Sequence, residues 1–157
     1  MTYRQMDDEI ILPMWVPPGV VMRAPTEEQV GIGTVLPDLT IVLTPTTVVL
    51  RASVTADLTP VSRDAGDTGA AAPKDALLNI LTTMGLVECY VTDWAGPEAL
   101  IRGLNVKLGV PAYAGDTLTF TGVVDACEDG EFTVRVRGTV GLGDHVSGTV
   151  RFALPKR

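Results

Sequence analysis

A carboxylate and a hydroxyl in one short loop stretch are the first residues of this chain that could do chemistry. Asp57 and Ser62 stand in Asp57-Leu58-Thr59-Pro60-Val61-Ser62-Arg63-Asp64. Asp57 can accept a proton from a bound water, or it can be one more aspartate at a turn, where the residue is common. Ser62 can donate and accept a hydrogen bond, but a hydroxyl does not store a proton near neutral pH. Arg63 and Asp64 follow directly, either to touch a substrate or as solvated loop charges. His145 is the single histidine, the one side chain that ordinarily titrates near neutrality, and it falls in the turn segment from Leu142 to Val146. The glycines of Gly141-x-Gly143 read as a hairpin turn and not a phosphate loop, since no helix and no Lys-Ser/Thr follows. There is no zinc-ligand spacing and no nucleophile elbow. Cys89 and Cys127 are far apart and have no Cys or His at partner spacing, which predicts two buried free thiols.

Four kinds of element must position these groups. Leu39 to Leu43 is a β-branched run suited to a strand, and Thr44-Pro45 reads as a helix start with Thr as the cap. From Asp57 to Pro73, glycines, prolines and alanines predict a structured loop. The apolar residues from Leu77 through Val91 predict a long helix over about Asp75 to Val91, buried on more than one face, with Asp75 near its positive end. Asp93-Trp94-Ala95-Gly96-Pro97 stops it. The remainder alternates as strands: Leu104 to Val110, then Thr117 to Ala126 with Leu118, Phe120, Gly122 and Val124 on one side. Glu128-Asp129-Gly130 is a hairpin signal, followed by Phe132, Val134 and Val136 alternating with polar residues. A turn over Gly141 to Asp144 leads to a last strand from Val146 to Leu154. One long helix followed by an antiparallel meander is an α+β pattern.

At 157 residues, 46% of them hydrophobic and 20% charged, the chain reads as one globular domain. Residues 1–30 stand apart as an apolar, proline-broken extension expected to lie on the domain or on a partner, with 31–157 as the domain itself. Aromatics at 5% leave the core to Val, Leu, Ile and Ala. A net charge of −7 without a basic face argues against nucleic acid as a partner. No apolar run reaches the length of a membrane span, and the acidic, proline-interrupted start does not resemble a secretory leader, so a cytoplasmic protein is expected.

The order of elements resembles the hot-dog fold, in which an antiparallel sheet wraps a long central helix, and specifically the MaoC-like hydratases. The resemblance covers about Val35 to the last strand. It is carried by Lys74-Asp75, Asn79-Ile80-Leu81-Thr82, Gly85-Leu86-Val87 and Tyr90-Val91-Thr92-Asp93-Trp94-Ala95-Gly96-Pro97. Further on it rests on Leu108-Gly109-Val110-Pro111, Asp116-Thr117, Thr119-Phe120 and Leu142-Gly143-Asp144-His145-Val146. Within the family these motifs look most like the small subunit of actinobacterial heteromeric steroid side-chain enoyl-CoA hydratases.

That resemblance implies a catalytic Asp-x-x-x-x-His loop whose two side chains hold the water added across the double bond of an α,β-unsaturated thioester. It also implies that backbone N–H groups at the start of the helix polarise the thioester carbonyl. Asp57 matches the aspartate, and Ser62 stands where the histidine would be. The implied catalytic residues are therefore Asp57 and Ser62. Implied substrate contacts are Asp64, Pro73, Lys74, Asp75, Asn79 and Trp94, with no metal and no cofactor. Two functions follow as expectations. One is a remodelled lyase-type enzyme acting on a bulky hydrophobic acyl thioester or polycyclic molecule, steroid-like or polyketide-like, by dehydration, isomerisation or cyclisation. The other is a half-catalytic subunit of a heteromeric hydratase. Either way the chain is expected to form a homodimer or a heteromer with another MaoC-like chain.

Overall fold

The structure, a computed structural model, describes residues 5–6, 9–10, 24–45 and 77–155. Two short strands, β1 (Gln5–Met6) and β2 (Glu9–Ile10), pair with each other. The main sheet is antiparallel and five-stranded: β3 (Val35–Val42), β4 (Leu100–Leu108), β5 (Thr117–Glu128), β6 (Glu131–Val140) and β7 (Gly143–Ala153), in the order β3-β5-β6-β7-β4. A long helix, α1 (Ile80–Ala95), lies on one face. This is the α+β hot-dog arrangement read from the sequence.

The alternation in β5 and β6 explains which face holds the helix. Leu118, Phe120 and Val124 of β5 are buried, as are Phe132, Val134 and Val136 of β6. They meet Leu86, Val87, Tyr90 and Val91 of α1 in one core. The few aromatics are concentrated there: Tyr90 stacks on Phe120 at 5.5 Å, and Phe132 on Phe152 at 5.4 Å between centroids. Gly122 lets the helix come close, because a Cβ there would stand 3.0 Å from Tyr90 Cε1. The Tyr90 hydroxyl then donates to the Pro37 carbonyl at 2.9 Å. That bond ties α1 to the bulge of β3 between Leu36 and Leu39. Burial, and then the charge of Asp38, push the phenol well above its ordinary range. The β5–β6 hairpin turns on Asp129 and Gly130, both at positive φ (51° and 78°), as a two-residue primed turn demands.

Several expectations are corrected. The helix begins at Ile80 and ends at Ala95, whereas the apolar pattern suggested Asp75 to Val91. Leu77 is drawn off into a bridge with Tyr113, and the Leu78 N–H bonds the Ala112 carbonyl at 2.9 Å, so neither can open a helix. Asp75 is therefore not at the helix start; Asn79 caps it. The helix is also buried on one face only. Its inward positions run Thr82, Thr83, Leu86, Val87, Tyr90, Val91 and Ala95, while Ile80 and Leu81 remain exposed. Both cysteines are exposed, not buried. Cys89 falls beside Glu88 on the outward face of α1, and Cys127 lies at the end of β5, beyond the stretch whose alternation is buried. β3 spans Val35–Val42 where Leu39 to Leu43 was expected, and β4 spans Leu100–Leu108 where Leu104 to Val110 was expected.

Pro45 is helical, consistent with the start read at Thr44-Pro45; the residues after it lie outside the described ones, as does the loop from Asp57 to Pro73. Of the N-terminal extension, Val30 is described and joins the core.

Candidate active site

Six of the sequence-derived site residues, Asp57, Ser62, Asp64, Pro73, Lys74 and Asp75, lie outside the described residues. Asn79 and Trp94 are described, at opposite ends of α1. Fifteen residues of helical rise separate them by about 22 Å, so no single small group can touch both. Trp94 is half-buried and meets Phe152 edge-on at 6.1 Å, a core contact at the far end from the cap.

The chemistry that can be placed sits at the start of α1. Asn79 is extended (φ −78°, ψ 162°), and its Oδ1 accepts from the Thr82 N–H at 2.8 Å. The Thr83 N–H reaches the Asn79 carbonyl at 3.0 Å. Ile80 and Leu81 have no helical turn behind them, so their N–H groups are left to an outside acceptor. Two such amides at the positive end of a helix dipole can hydrogen-bond a carbonyl oxygen and stabilise negative charge growing on it. The exposed side chains of the same two residues, Ile80 at 49% and Leu81 at 56%, place apolar surface beside those amides.

Behind that turn, two buried hydroxyls were not anticipated. Thr83 Oγ1 lies 2.9 Å from His145 Nε2, and His145 Nδ1 lies 2.8 Å from the Val110 carbonyl. A carbonyl only accepts, so Nδ1 carries a proton, and in the neutral ring Nε2 accepts from the Thr83 hydroxyl. His145 is buried inside β7, whereas the sequence placed it in the preceding turn. Its ring nitrogens are both engaged, which makes it a clamp on the helix start. The backbone reinforces it: Gly109 N–H bonds the His145 carbonyl and Val110 N–H the Asp144 carbonyl, each at 2.8 Å. Thr82 Oγ1 is buried and has no hydrogen-bond partner among the described residues. The signal for the two buried hydroxyls was available in the sequence, since the adjacent Thr82 and Thr83 interrupt an apolar helix face.

At the other end of α1, Asp93 has a buried Oδ2 without a donor among the described residues, and burial raises its carboxyl from 3.8 to about 6. Among the described residues there is no cluster of metal ligands, and no helix is long and apolar enough to cross a membrane.

A comparison with protein-family models finds no match. The chain is 49% identical over 123 residues to the beta subunit of 3-oxo-4,17-pregnadiene-20-carboxyl-CoA hydratase of Mycobacterium tuberculosis, spanning 78% of this chain and 95% of that subunit. Among solved structures it resembles a chain of the ChsH1–ChsH2 complex from Mycobacterium tuberculosis, with a TM-score of 0.72 and 48% identity over 80% of this chain and 98% of that one. It also resembles the (R)-hydratase PhaJ1 from Pseudomonas aeruginosa, with a TM-score of 0.73 over 84% and 86% of the two chains; at 18% identity that likeness bears on the fold alone. With half its aligned residues shared with the beta subunit over nearly that subunit's whole length, and with the helix-on-sheet architecture of the (R)-hydratases, the chain belongs to the MaoC-like hot-dog hydratase family.

Proposed function

We propose that this chain is the small subunit of a two-chain enoyl-CoA hydratase acting on a steroid side chain, and that a second MaoC-like chain supplies most of the proton transfer. The observation that carries this reading is the 49% identity with a hydratase beta subunit over 95% of its length. A solved relative at 48% identity comes from a complex of two different proteins, which supports a partner for this chain as well.

The chemistry of the loop favours the same reading. Hydration adds hydroxide character to the β-carbon of the enoyl thioester and a proton to the α-carbon, so a group must take a proton from water and a group must return one. Asp57 can accept; Ser62, at the position the family gives to histidine, cannot hold the proton between the two steps. A partner with an intact Asp/His pair supplies what this loop lacks. The amides of Ile80 and Leu81 offer this chain's own contribution, a place for a thioester oxygen. The exposed Ile80 and Leu81 side chains suit a hydrophobic acyl group beside it. The alternative, a remodelled lyase working alone on a bulky substrate, rests on the same surface with Asp57 as its base.

Co-expression with a MaoC-like chain encoded nearby tests the two against each other. Loss of the conjugated enoyl absorbance of a steroid side-chain enoyl-CoA is followed with each chain alone and with both. Activity only in the mixture supports the subunit reading; full turnover by this chain alone overturns it.

A further inference from the structure

The three threonines of α1 differ in what their hydroxyls meet. Thr92 follows the helical habit: its Oγ1 donates back to the Glu88 and Cys89 carbonyls, at 3.1 and 3.3 Å. Thr83 donates to His145 Nε2. Thr82 is 5% exposed, and its Oγ1 meets no acceptor among the described residues. A buried hydroxyl left without a partner is destabilising, and an apolar side chain of the same shape would suit the resting protein better.

The place of Thr82 in the helix accounts for it. Thr82 is the third residue of α1, and its N–H is held by Asn79 Oδ1 at 2.8 Å. Cα–Cβ bonds in a helix tilt toward its N-terminus, so the Thr82 side chain leans toward the end that carries the Ile80 and Leu81 amides. Its hydroxyl does not turn back onto the carbonyls of its own helix, as that of Thr92 does. The first turn thus offers two backbone donors without a helical acceptor and, beside them, one hydroxyl without an acceptor among the described residues. The neighbouring Thr83–His145 bond holds that turn in place.

We propose that Thr82 is a third donor of this site, and that its hydroxyl serves the oxygen of the reacting thioester only once negative charge has formed there. The proposal deepens the hydratase reading and rests on it. A ground-state carbonyl oxygen has two lone pairs, and the two amides can take both. In hydration the oxygen of water bonds the β-carbon and its proton passes to the base. The alkene electron pair then joins the α-carbon to the carbonyl carbon, and the carbonyl pair moves onto the oxygen. Proton delivery to the α-carbon afterwards restores the carbonyl. Between those events the oxygen holds a negative charge and a third lone pair, and a third donor has something to bind. The Thr82 hydroxyl is shielded from water, so it has no solvent partner to release when that charge appears. A donor used by the charged oxygen and not by the carbonyl lowers the barrier without tightening substrate binding.

Two measurements test this. Wild type, Thr82→Val and Thr82→Ser are first compared by urea unfolding without substrate. Thr82→Val is expected to unfold at the same urea concentration as wild type or a higher one, since no hydrogen bond is lost. A lower midpoint that Thr82→Ser recovers overturns the proposal, because the hydroxyl then already has an acceptor in the resting protein. The complex of this chain with its MaoC-like partner is next assayed on a steroid side-chain enoyl-CoA. Thr82→Val should lower kcat at least about tenfold with KM nearly unchanged, and Thr82→Ser should keep most of the wild-type kcat. Thr82→Ala, which cannot overpack the site, should match Thr82→Val in the assay and replaces it if the valine variant does not fold. An unchanged kcat, or a loss confined to KM, overturns the proposal and leaves the hydratase reading standing. No hydration by the unmutated chain or complex overturns both.

Discussion

The Thr83 hydroxyl donates to Nε2 of His145 across 62 residues of sequence, at 2.9 Å, and so fixes the first turn of α1 to the start of β7. Both residues are buried. A buried imidazole nitrogen stripped of its donor bears the desolvation cost of an unmet acceptor, about 1–3 kcal/mol. Thr83→Val keeps the shape and removes the donor, and is expected to lower unfolding free energy by that amount in urea titration. Thr83→Ser restores the hydroxyl and should recover most of it. Equal stability of Thr83→Val and wild type would remove the clamp from the account.

Asp93 makes stability depend on pH in an unusual direction. Its carboxyl is raised by burial from 3.8 to about 6, so the folded protein binds this proton more tightly than the unfolded chain does. Between those two values the folded state holds more protons, and stability falls as pH rises. Below the window the penalty is absent; above about 6 it is complete. Asp93→Asn should therefore stabilise the protein at pH 7.5, by about 1 kcal/mol or less because the side chain is only half-buried and solvent screens it. The same variant should be nearly neutral at pH 3.5, if the protein is still folded there, or show a shrinking gain as pH falls toward 4. A gain that is constant with pH would refute the assignment.

Cys89 and Cys127 are exposed and form no disulfide. Both should react with a chromogenic thiol reagent in the folded protein, with two equivalents released without denaturant. Protection of one thiol in the co-expressed complex, and not in the chain alone, would locate that residue at the contact between subunits.

Ser62 carries the sharpest test of the loop. Ser62→His supplies a proton-holding group at the position that the family resemblance gives to histidine, and general acid–base catalysis is worth about 10²–10⁴-fold. The isolated variant should hydrate a steroid-like enoyl-CoA at least about tenfold faster than wild type. The full factor is not expected, since forcing an imidazole where serine sat commonly costs about 1–3 kcal/mol. Adding Asp57→Asn should abolish the gain. A folded Ser62→His protein without hydration would show that the two positions do not face one substrate.

The strands were legible because their period is short and their turns carry their own chemistry. Leu118, Phe120 and Val124 against Thr119, Thr121 and Val123 define one buried face, and Asp129-Gly130 selects its turn. The apolar pattern of α1 ran out at Val91, four residues short of its end, and the true stop is Gly96, which takes the positive φ (93°) that ends a helix. Its beginning was not plain, because Leu77 and Leu78 prolong the apolar pattern while their backbones bond Tyr113 and Ala112. Only Asn79, a capping residue three before Thr82, marked the true start. The cysteines were misjudged by applying the residue's habit instead of its position; with 82, 83, 86, 87, 90 and 91 inward, position 89 must face out. His145 and Thr83 could not be paired from sequence, since nothing local connects them. Asp57 and Ser62 were singled out through family resemblance, because a lone carboxylate leaves no periodic trace in a sequence.

The strand order β3-β5-β6-β7-β4 also governs how the chain assembles during synthesis. β5, β6 and β7 form a local meander, whereas β4 has only β7 to pair with, and β7 is made well after it. On the ribosome α1 and β4 therefore emerge with their apolar sides unmatched and wait for the meander to close over them. A nascent chain halted before β7 presents Leu104 and Val106 without the strand that covers them. β4 gains its pairing strand only once β7 is in place, so the sheet closes as the last strand is made and not before.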